Sequence, residues 1–265
     1  MRFLLIFLML TSTLLSNAQS RHIEFEASSQ ISPSSEFTRI GSDGISSIGK
    51  GDIDLFRNRI GVDFRIRPKI WLGMSFERSS FNSSNILASN QFIRINLDGT
   101  IRSFESRIWY RPKAEKNKGL GAYFALRYSP INLIMNEKFT SEDRLITGSS
   151  SIDGRIVEPR IGVDGYWYLK PITNLGVRAE AYLSPVFVGE SYRSLNLSSM
   201  QAISSNGLNV HYSIGASYRF LRFYGGLDFG QDFFLLQSKI DKNDLLSFKF
   251  SSIRARVGLF LLKRK

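Results

Sequence analysis

The stretch RNRIGVDFRIR, which begins at Arg57, alternates polar and apolar residues with a period of two. Its arginines and its aspartate take odd-numbered positions, whereas Ile, Val and Phe take even-numbered ones. Successive side chains of a β-strand point to opposite faces of the sheet, so the pattern predicts a strand with one charged face and one apolar face. Whether the chain forms a soluble protein or a membrane protein depends on which of these two faces is exposed to water.

Two-residue periodicity recurs in about ten segments along the chain. They lie at roughly 21–30, 55–66, 70–80, 101–111, 119–129, 155–168, 174–186, 208–220, 223–235 and 246–262. The connections alternate between short ones, at 67–69, 112–118, 169–173 and 221–222, and long polar ones, at 31–54, 81–100, 130–154, 187–207 and 236–245. An even strand count with tight turns at one end and long loops at the other predicts an all-β fold, an antiparallel up-and-down transmembrane β-barrel of about 10 strands.

Glycine positions argue against the alternative fold, a soluble β-sandwich with its charged face in water. Most strand glycines share the parity of the charged residues, and only Gly165 and Gly225 share that of the apolar face. A solvated face has room for side chains but the inside of a small barrel has little, so the charged face is predicted to line the lumen. The inward glycines are then Gly61, Gly73, Gly121, Gly162, Gly176, Gly215, Gly226, Gly230 and Gly258.

Aromatic residues on the apolar face favour the same interpretation. They fall near both ends of the strands, as expected of side chains at two membrane interfaces. Those beside the short turns are Tyr110, Trp167, Phe220 and Phe223, and those toward the long loops are Phe76, Tyr128, Phe233 and Phe250.

The charges predicted to face the lumen are balanced, which permits the pairing that buried charges require. The basic residues are Arg57, Arg59, Arg65, Arg107, Arg127, Arg160, Arg178, Arg219, Arg254 and Arg256. The acidic residues are Glu24, Glu26, Asp63, Glu77, Glu105, Glu158, Asp164, Glu180, Asp228 and Asp232. The short turn at Pro68 places Arg59 opposite Glu77.

The first residues are predicted to form an export signal. Residues 1–18 combine Arg2, an apolar run and small residues before Gln19, which leaves residues 19–265 as the barrel domain. The chain has no cysteine, so disulfides do not hold it together, and its formal net charge is +12. That excess favours anionic partners such as outer-membrane lipid, lipopolysaccharide included. Nucleic acid is not an expected partner, because the arginines alternate along strands instead of forming a patch.

On this pattern of alternation and loop lengths, residues 19–265 resemble the small bacterial outer-membrane β-barrel proteins. The leader ending SNAQS is similar to those of barrels from the Bacteroidota. The resemblance implies an integral, multi-pass position in the outer membrane of a Gram-negative bacterium. The chain departs from many members in ending on the basic residues 263–265 and not on an aromatic residue that the assembly machinery reads, and this tail is a candidate contact for a periplasmic partner.

Residues suited to catalysis are few. Only His22 and His211 are present, so no metal site and no cofactor is predicted. The turn at 221–222 places His211 opposite Asp232, both inward near the long-loop end. This pair is similar to the His–carboxylate arrangement of the omptin proteases, whose pattern is D-x-H with a D-x-D pair across the mouth. Here Asn209 stands where that family has Asp, and Asp52-Ile53-Asp54, with its even-numbered lipid-facing parity, is the candidate second pair.

A non-enzymatic barrel with a charge-filled lumen is the leading expectation, with a structural or partner-binding role carried by the long extracellular loops or the basic periplasmic turns. A narrow channel for ions or small solutes and an omptin-like protease using His211 and Asp232 are the alternatives. Lipid A-modifying barrel hydrolases present His and Ser to lipid, whereas His211 and Ser213 have lumen parity. The basic turn residues are Arg67, Lys69, Arg111, Lys113, Lys116, Lys118 and Lys170.

Overall fold

Ten long β-strands and one two-residue strand make up the described protein. The computed structural model describes residues 22–40, 46–47, 52–87, 93–114, 118–141, 144–169, 174–194, 200–220, 222–238 and 245–262. The strands are β1 (His22–Ile40), β2 (Ser46–Ser47), β3 (Asp52–Arg67), β4 (Ile70–Leu87), β5 (Ile93–Ala114), β6 (Lys118–Ser141), β7 (Arg144–Tyr168), β8 (Leu175–Ser194), β9 (Met200–Phe220), β10 (Phe223–Ser238) and β11 (Leu245–Leu262). No helix among these residues is long and apolar enough to cross a membrane. The predicted leader, residues 1–18, and the basic tail, 263–265, lie outside the described residues.

The long strands close into a barrel. Each pairs antiparallel with its neighbour along the chain, and β11 returns to pair with β1. Closure satisfies the backbone N–H and C=O groups that an edge strand would leave unpaired, a requirement for spanning hydrocarbon. The prediction of an all-β, antiparallel barrel of about ten long strands is confirmed.

The charged face lies inside this barrel. On β5 the odd-numbered residues from Ser103 to Arg111 are buried, with Trp109 only 1% exposed, and the even-numbered ones are exposed, with Ile108 at 53%. The same alternation recurs on β6, β8 and β9. The outer surface is therefore a continuous band of apolar side chains, which suits hydrocarbon better than water.

The register of two hairpins follows from their tight turns. Pro68 and Lys69 link β3 to β4 and place Arg59 opposite Glu77, as predicted. The turn between β9 and β10 pairs His211 with Asp232, also as predicted. A two-residue connection allows few registers, and the wrong ones would turn charged side chains outward.

The strands are longer than predicted, so much of each predicted long loop is strand. β7 begins at Arg144 where a strand was expected only from 155, and β4 and β5 reach to Leu87 and Ile93 within the predicted loop 81–100. The predicted loops 31–54, 130–154, 187–207 and 236–245 are likewise strand in part. Apolar alternation stops where both faces become polar, but backbone pairing continues because it does not require apolar side chains. A tilted membrane strand needs about 9–11 residues, so the 25 residues of β7 extend well beyond the apolar band.

Inward glycines accommodate aromatic rings from neighbouring strands. A Cβ added at Gly73 would clash with the Trp109 indole, one at Gly162 with Tyr123, and one at Gly258 with Tyr224. At the outward-facing Gly225, by contrast, an added Cβ would meet only one backbone oxygen, 3.8 Å away. The inner face is thus the crowded one, as the distribution of glycine predicted.

Seven of the eight predicted interface aromatics lie on the outer face, and Phe250 does not. Phe250 is 9% exposed and lies inside, with the Arg57 guanidinium 5.6 Å from its ring centroid. Its assignment to the lipid face was wrong because residue 250 has the parity of Arg254 and Arg256, which point inward on the same strand.

Candidate functional site

Glu105 is the centre of a buried network of ion pairs in the lumen. Its Oε1 accepts hydrogen bonds from Arg59 at 3.1 Å and from Arg107, and its Oε2 accepts one from Arg160 at 2.6 Å. Arg107 also reaches Glu180 at 3.4 Å. The side chains come from β3, β5, β7 and β8, whose alternation points all of them inward. Several cations around one carboxylate offset the cost of removing it from water.

Two further acids continue the network toward the long-loop end. Glu158 accepts hydrogen bonds from Arg160 at 2.9 Å and from the Asn209 amide at 3.0 Å. Arg127 bridges Glu77 at 2.6 Å and Glu158 at 3.5 Å. Acids and bases thus alternate across the lumen and do not separate onto opposite walls.

Another group of ion pairs lies beside the β1–β11 seam. Arg178 of β8 donates to Glu26 of β1 at 2.8 Å. Arg256 of β11 lies 3.5 Å from the same Glu26 carboxylate and donates to Asp228 at 3.1 Å. Glu26 therefore joins strands on both sides of the seam.

Some of the charges predicted for the lumen have other surroundings. Arg65 donates to the carbonyl oxygens of Arg67 and Pro68, at 3.3 and 2.7 Å, and so stabilises its own turn. Asp63 and Arg254 face inward but form no ion pair with another described residue. Arg219, at the short-turn end of β9, bonds through its backbone N–H to the Asn174 carbonyl at 2.6 Å.

Arg111 belongs to the lumen and not to the basic rim. It is 7% exposed, donates to Asp164 at 2.5 Å, and lies 5.4 Å from the Trp71 ring and 5.0 Å from the Trp109 ring. Its prediction as a turn residue was wrong because β5 continues to Ala114, so residue 111 still follows the inward parity. Arg67 and Lys69 are exposed as predicted, and the side chains of Lys113, Lys116, Lys118 and Lys170 lie outside the described residues.

Aromatic rings fill the space between the charges, and this was missed from the sequence. Trp71, Trp109, Tyr123 and Tyr182 form a buried cluster with Ala125. Arginines cover the rings: Arg107 lies 4.9 Å from Trp109 and 5.2 Å from Tyr123, and Arg160 lies 4.4 Å from Tyr182. Such cation–π contacts stabilise guanidinium groups away from water. The inward parity of these aromatics, next to inward glycines, was the available signal.

His211 and Asp232 form a hydrogen-bonded pair near the long-loop end. Nδ1 of the histidine lies 2.8 Å from Oδ1 of the aspartate, and Nδ1–H is the donor because a carboxylate can only accept. Arg57 donates to the other carboxylate oxygen at 2.7 Å, and the Tyr182 hydroxyl donates to Oδ1 at 3.2 Å. The Tyr182 ring also stacks on the imidazole, with 4.7 Å between ring centroids.

The surroundings of this pair are closed. His211 is 4% exposed and Asp232 is 2% exposed. Asn209, at the position of the omptin Asp, is fully buried, and its amide donates to Glu158 and to the Tyr182 hydroxyl at 3.0 and 3.4 Å. Asp52-Ile53-Asp54 belongs to β3, but its side chains lie outside the described residues. A general base must reach a water and a substrate, so burial of the imidazole limits the access that such a role requires.

Two open spaces in the described lumen are small and polar. One cavity of about 30 Å³ is lined by residues that include Arg254, Ser213 and Asp228, and another of about 20 Å³ is lined by residues that include Asp63. The two cavities share Glu26, Arg59 and Arg178. A bound water needs a cavity volume of roughly 10–15 Å³, so each of these two cavities holds a few waters at most. The described residues contain no cluster of three or more His, Asp or Glu side chains placed to hold a metal ion.

No protein-family model matches the chain, and no curated protein matches it. Solved structures match it by fold. The outer-membrane protease OmpT from Escherichia coli superposes with a TM-score of 0.65 at 11% identity, over 91% of this chain and 97% of that chain. The translocator domain of the autotransporter NalP from Neisseria meningitidis has a TM-score of 0.41 at 10% identity, over 94% of this chain and 91% of that chain. A deltaS2 mutant of the monoaromatic hydrocarbon channel TodX, a Pseudomonas putida protein, has a TM-score of 0.41 at 11% identity, over 96% and 94% of the two chains.

The likeness to OmpT shows the fold and no activity. The chain is a closed antiparallel β-barrel of the kind found in bacterial outer membranes, and its apolar outer face is consistent with an integral position there. The resemblance of its leader to Bacteroidota leaders and its signal peptide stay predictions.

Proposed function

We propose that the protein is a non-enzymatic integral outer-membrane barrel. Its packed lumen keeps the barrel wall rigid. Partners bind to its outer surface and to its strand extensions, the strand ends that continue past the apolar band on the long-loop side. One observation carries the proposal: acids and bases alternate across the lumen around Glu105, with two cavities between them that each hold only a few waters. A lumen filled in this way stabilises the barrel but transmits no solute. The surfaces that carry the function are then those that face outward.

The strand extensions are the natural place for a protein partner. β6 and β7 run to Ser141 and Arg144, far past the apolar band, and form the longest hairpin of the barrel. Paired strands held by a rigid base present a defined surface at low entropic cost.

Conductance in planar lipid bilayers tests the packed lumen. The wild-type protein is expected to insert without discrete conductance steps. Arg107→Ala with Trp109→Ala removes two large central side chains, and current through that variant would show that the bilayer assay detects inserted barrels. Discrete steps from the wild-type protein would overturn the proposal.

A narrow ion passage is the second candidate, favoured by the shared lining of the two cavities. Both lie on the side of the lumen where small residues, Ser28, Gly61, Ser213 and Gly230, replace the aromatics. If wild-type steps occur, Arg254→Ala should change their ion selectivity, because Arg254 lines the larger cavity without an ion-pair partner among the described residues.

A peptide-cleavage assay tests whether the protein lacks enzymatic activity, because one protein of similar fold is a protease. The purified barrel in lipopolysaccharide-containing micelles is expected not to cleave a basic peptide. Cleavage that His211→Ala abolishes, with folding intact, would establish the protease alternative.

A further inference from the structure

Three arginines on the outside of the barrel lie in one row. Arg78 on β4 and Arg102 on β5 are directly opposite each other. On the next strand, the pairs that flank Arg102 place Pro130 at its level, and Pro130 is directly opposite Arg155 on β7. The row therefore crosses four neighbouring strands, with a proline, which has no long side chain, between the second and third arginines.

On the three strands that carry the arginines, the row marks the end of the apolar outer surface on the long-loop side. Toward the short turns, the next outward residues on the three strands are Phe76, Phe104 and Val157. Toward the long loops, they are Ser80, Thr100 and Asp153. The guanidinium groups thus lie where hydrocarbon gives way to headgroups, and the long-loop end of such a barrel faces the cell exterior.

These side chains contrast with the arginines of the lumen. All three are exposed, and none forms a hydrogen bond or ion pair with another described residue. Among the described side chains, the nearest outward acids lie farther toward the long loops: Asp98 is exposed, and Asp153 accepts a hydrogen bond from Asn132 at 2.7 Å. Like charges directly opposite in an antiparallel pair are destabilising, so the placement of Arg78 against Arg102 is unfavourable without an anion between them.

We propose that Arg78, Arg102 and Arg155 bind the phosphate groups of lipid A, the membrane-embedded part of lipopolysaccharide, in the outer leaflet. Guanidinium groups match phosphate oxygens in bidentate geometry. The distance from β4 to β7 is three strand spacings, or about 14 Å, which suits a headgroup that carries two separated phosphates. The acyl chains then lie along the apolar residues below the row. The site is on the outer wall and does not depend on the role proposed for the lumen.

The test compares thermal unfolding with and without lipid A. The purified barrel in neutral detergent is heated with bisphosphorylated lipid A, and the midpoint of its heat-modifiable gel shift is measured. Lipid A is expected to raise the midpoint of the wild-type protein. Arg78→Gln, Arg102→Gln and Arg155→Gln together should abolish that rise, since each arginine removed weakens binding roughly five-fold. Without lipid A, Arg78→Gln alone should leave the midpoint unchanged or raise it, because the like-charge contact is gone.

Two controls make the outcome specific. Arg67→Gln with Arg222→Gln removes exposed arginines from the opposite, short-turn rim and should keep the full lipid A effect. Dephosphorylated lipid A should have no effect on the wild-type protein. The proposal is overturned if the triple variant keeps the lipid A effect, if dephosphorylated lipid A reproduces it, or if inorganic phosphate alone does, because the ligand would then be free phosphate.

Discussion

Arg178 of β8 donates to Glu26 of β1 at 2.8 Å, although three strands, β9, β10 and β11, lie between them in the sheet. The bond is a chord across the lumen and not a contact along the wall. It therefore connects two strands that the backbone ladder joins only indirectly, through three intervening strands in one direction around the barrel and five in the other.

Glu105→Ala should lower stability strongly, because it removes the carboxylate that Arg59, Arg107 and Arg160 share. Breaking a buried ion pair on one side costs about 3–5 kcal/mol. The midpoint of the heat-modifiable gel shift in detergent should fall accordingly. Asp98→Ala, which removes an exposed outward acid, is the matched control and should have little effect. Equal midpoints for the two variants would mean that the network does not stabilise the fold.

Gly73→Ala and Gly225→Ala should have opposite effects. A Cβ at Gly73 would clash with the Trp109 indole, and overpacking of this kind costs about 1–3 kcal/mol. A Cβ at Gly225 meets almost nothing, and replacing a strand glycine there should stabilise the protein by up to about 1 kcal/mol. Unfolding midpoints in urea with detergent present would measure both, and a similar loss for each would contradict the inward and outward assignments.

Asp232→Ala should destabilise the barrel more than His211→Ala does. Removing the aspartate leaves Arg57 buried without its ion pair and Tyr182 without an acceptor, whereas removing the histidine leaves Asp232 still bound to both. The expected loss is about 3–5 kcal/mol for the first variant and about 1 kcal/mol for the second. The urea midpoints of the two variants give the comparison, and the reverse order would show that the histidine organises the site.

The cellular fraction in which the protein is found tests the assignment of the two faces. The protein, expressed in a Gram-negative host, should stay in the outer-membrane fraction after a urea wash and migrate differently in gels before and after boiling. The apolar band explains both results, because detergent or lipid must cover it. Release into the soluble fraction without a gel shift would require the charged face to lie in water.

The alternation of side chains made the fold predictable from sequence, but it could not give the ends of the strands. Residues such as Arg57 and Ile60 are assigned to faces by parity alone, and a two-residue turn then sets the register. Past Ser80 the sequence FNSSNIL no longer alternates, so the periodic signal disappears although β4 continues to Leu87. Phe250 shows that parity, where it conflicts with residue type, is the better guide.

The partners inside the lumen were harder to predict than the residues that line it. Arg59 is opposite Glu77 in the ladder, but its guanidinium reaches Glu105, one strand farther, and Glu77 takes Arg127 from the other side. Long side chains in a barrel of tilted strands contact diagonal neighbours, which sequence spacing does not specify. The aromatic cluster was missed because charge balance considers only ionisable residues.

Glu105 takes its three arginines from β3, β5 and β7, which are not adjacent in the sheet, and Tyr224 reaches back to Glu24 across 200 residues of chain. A half-formed sheet would leave these charges without partners, and hydrocarbon would penalise each one. We therefore expect water to solvate these charges until the strands that carry their partners have paired. On this basis, closure of the barrel and removal of water from its lumen should be coupled during assembly.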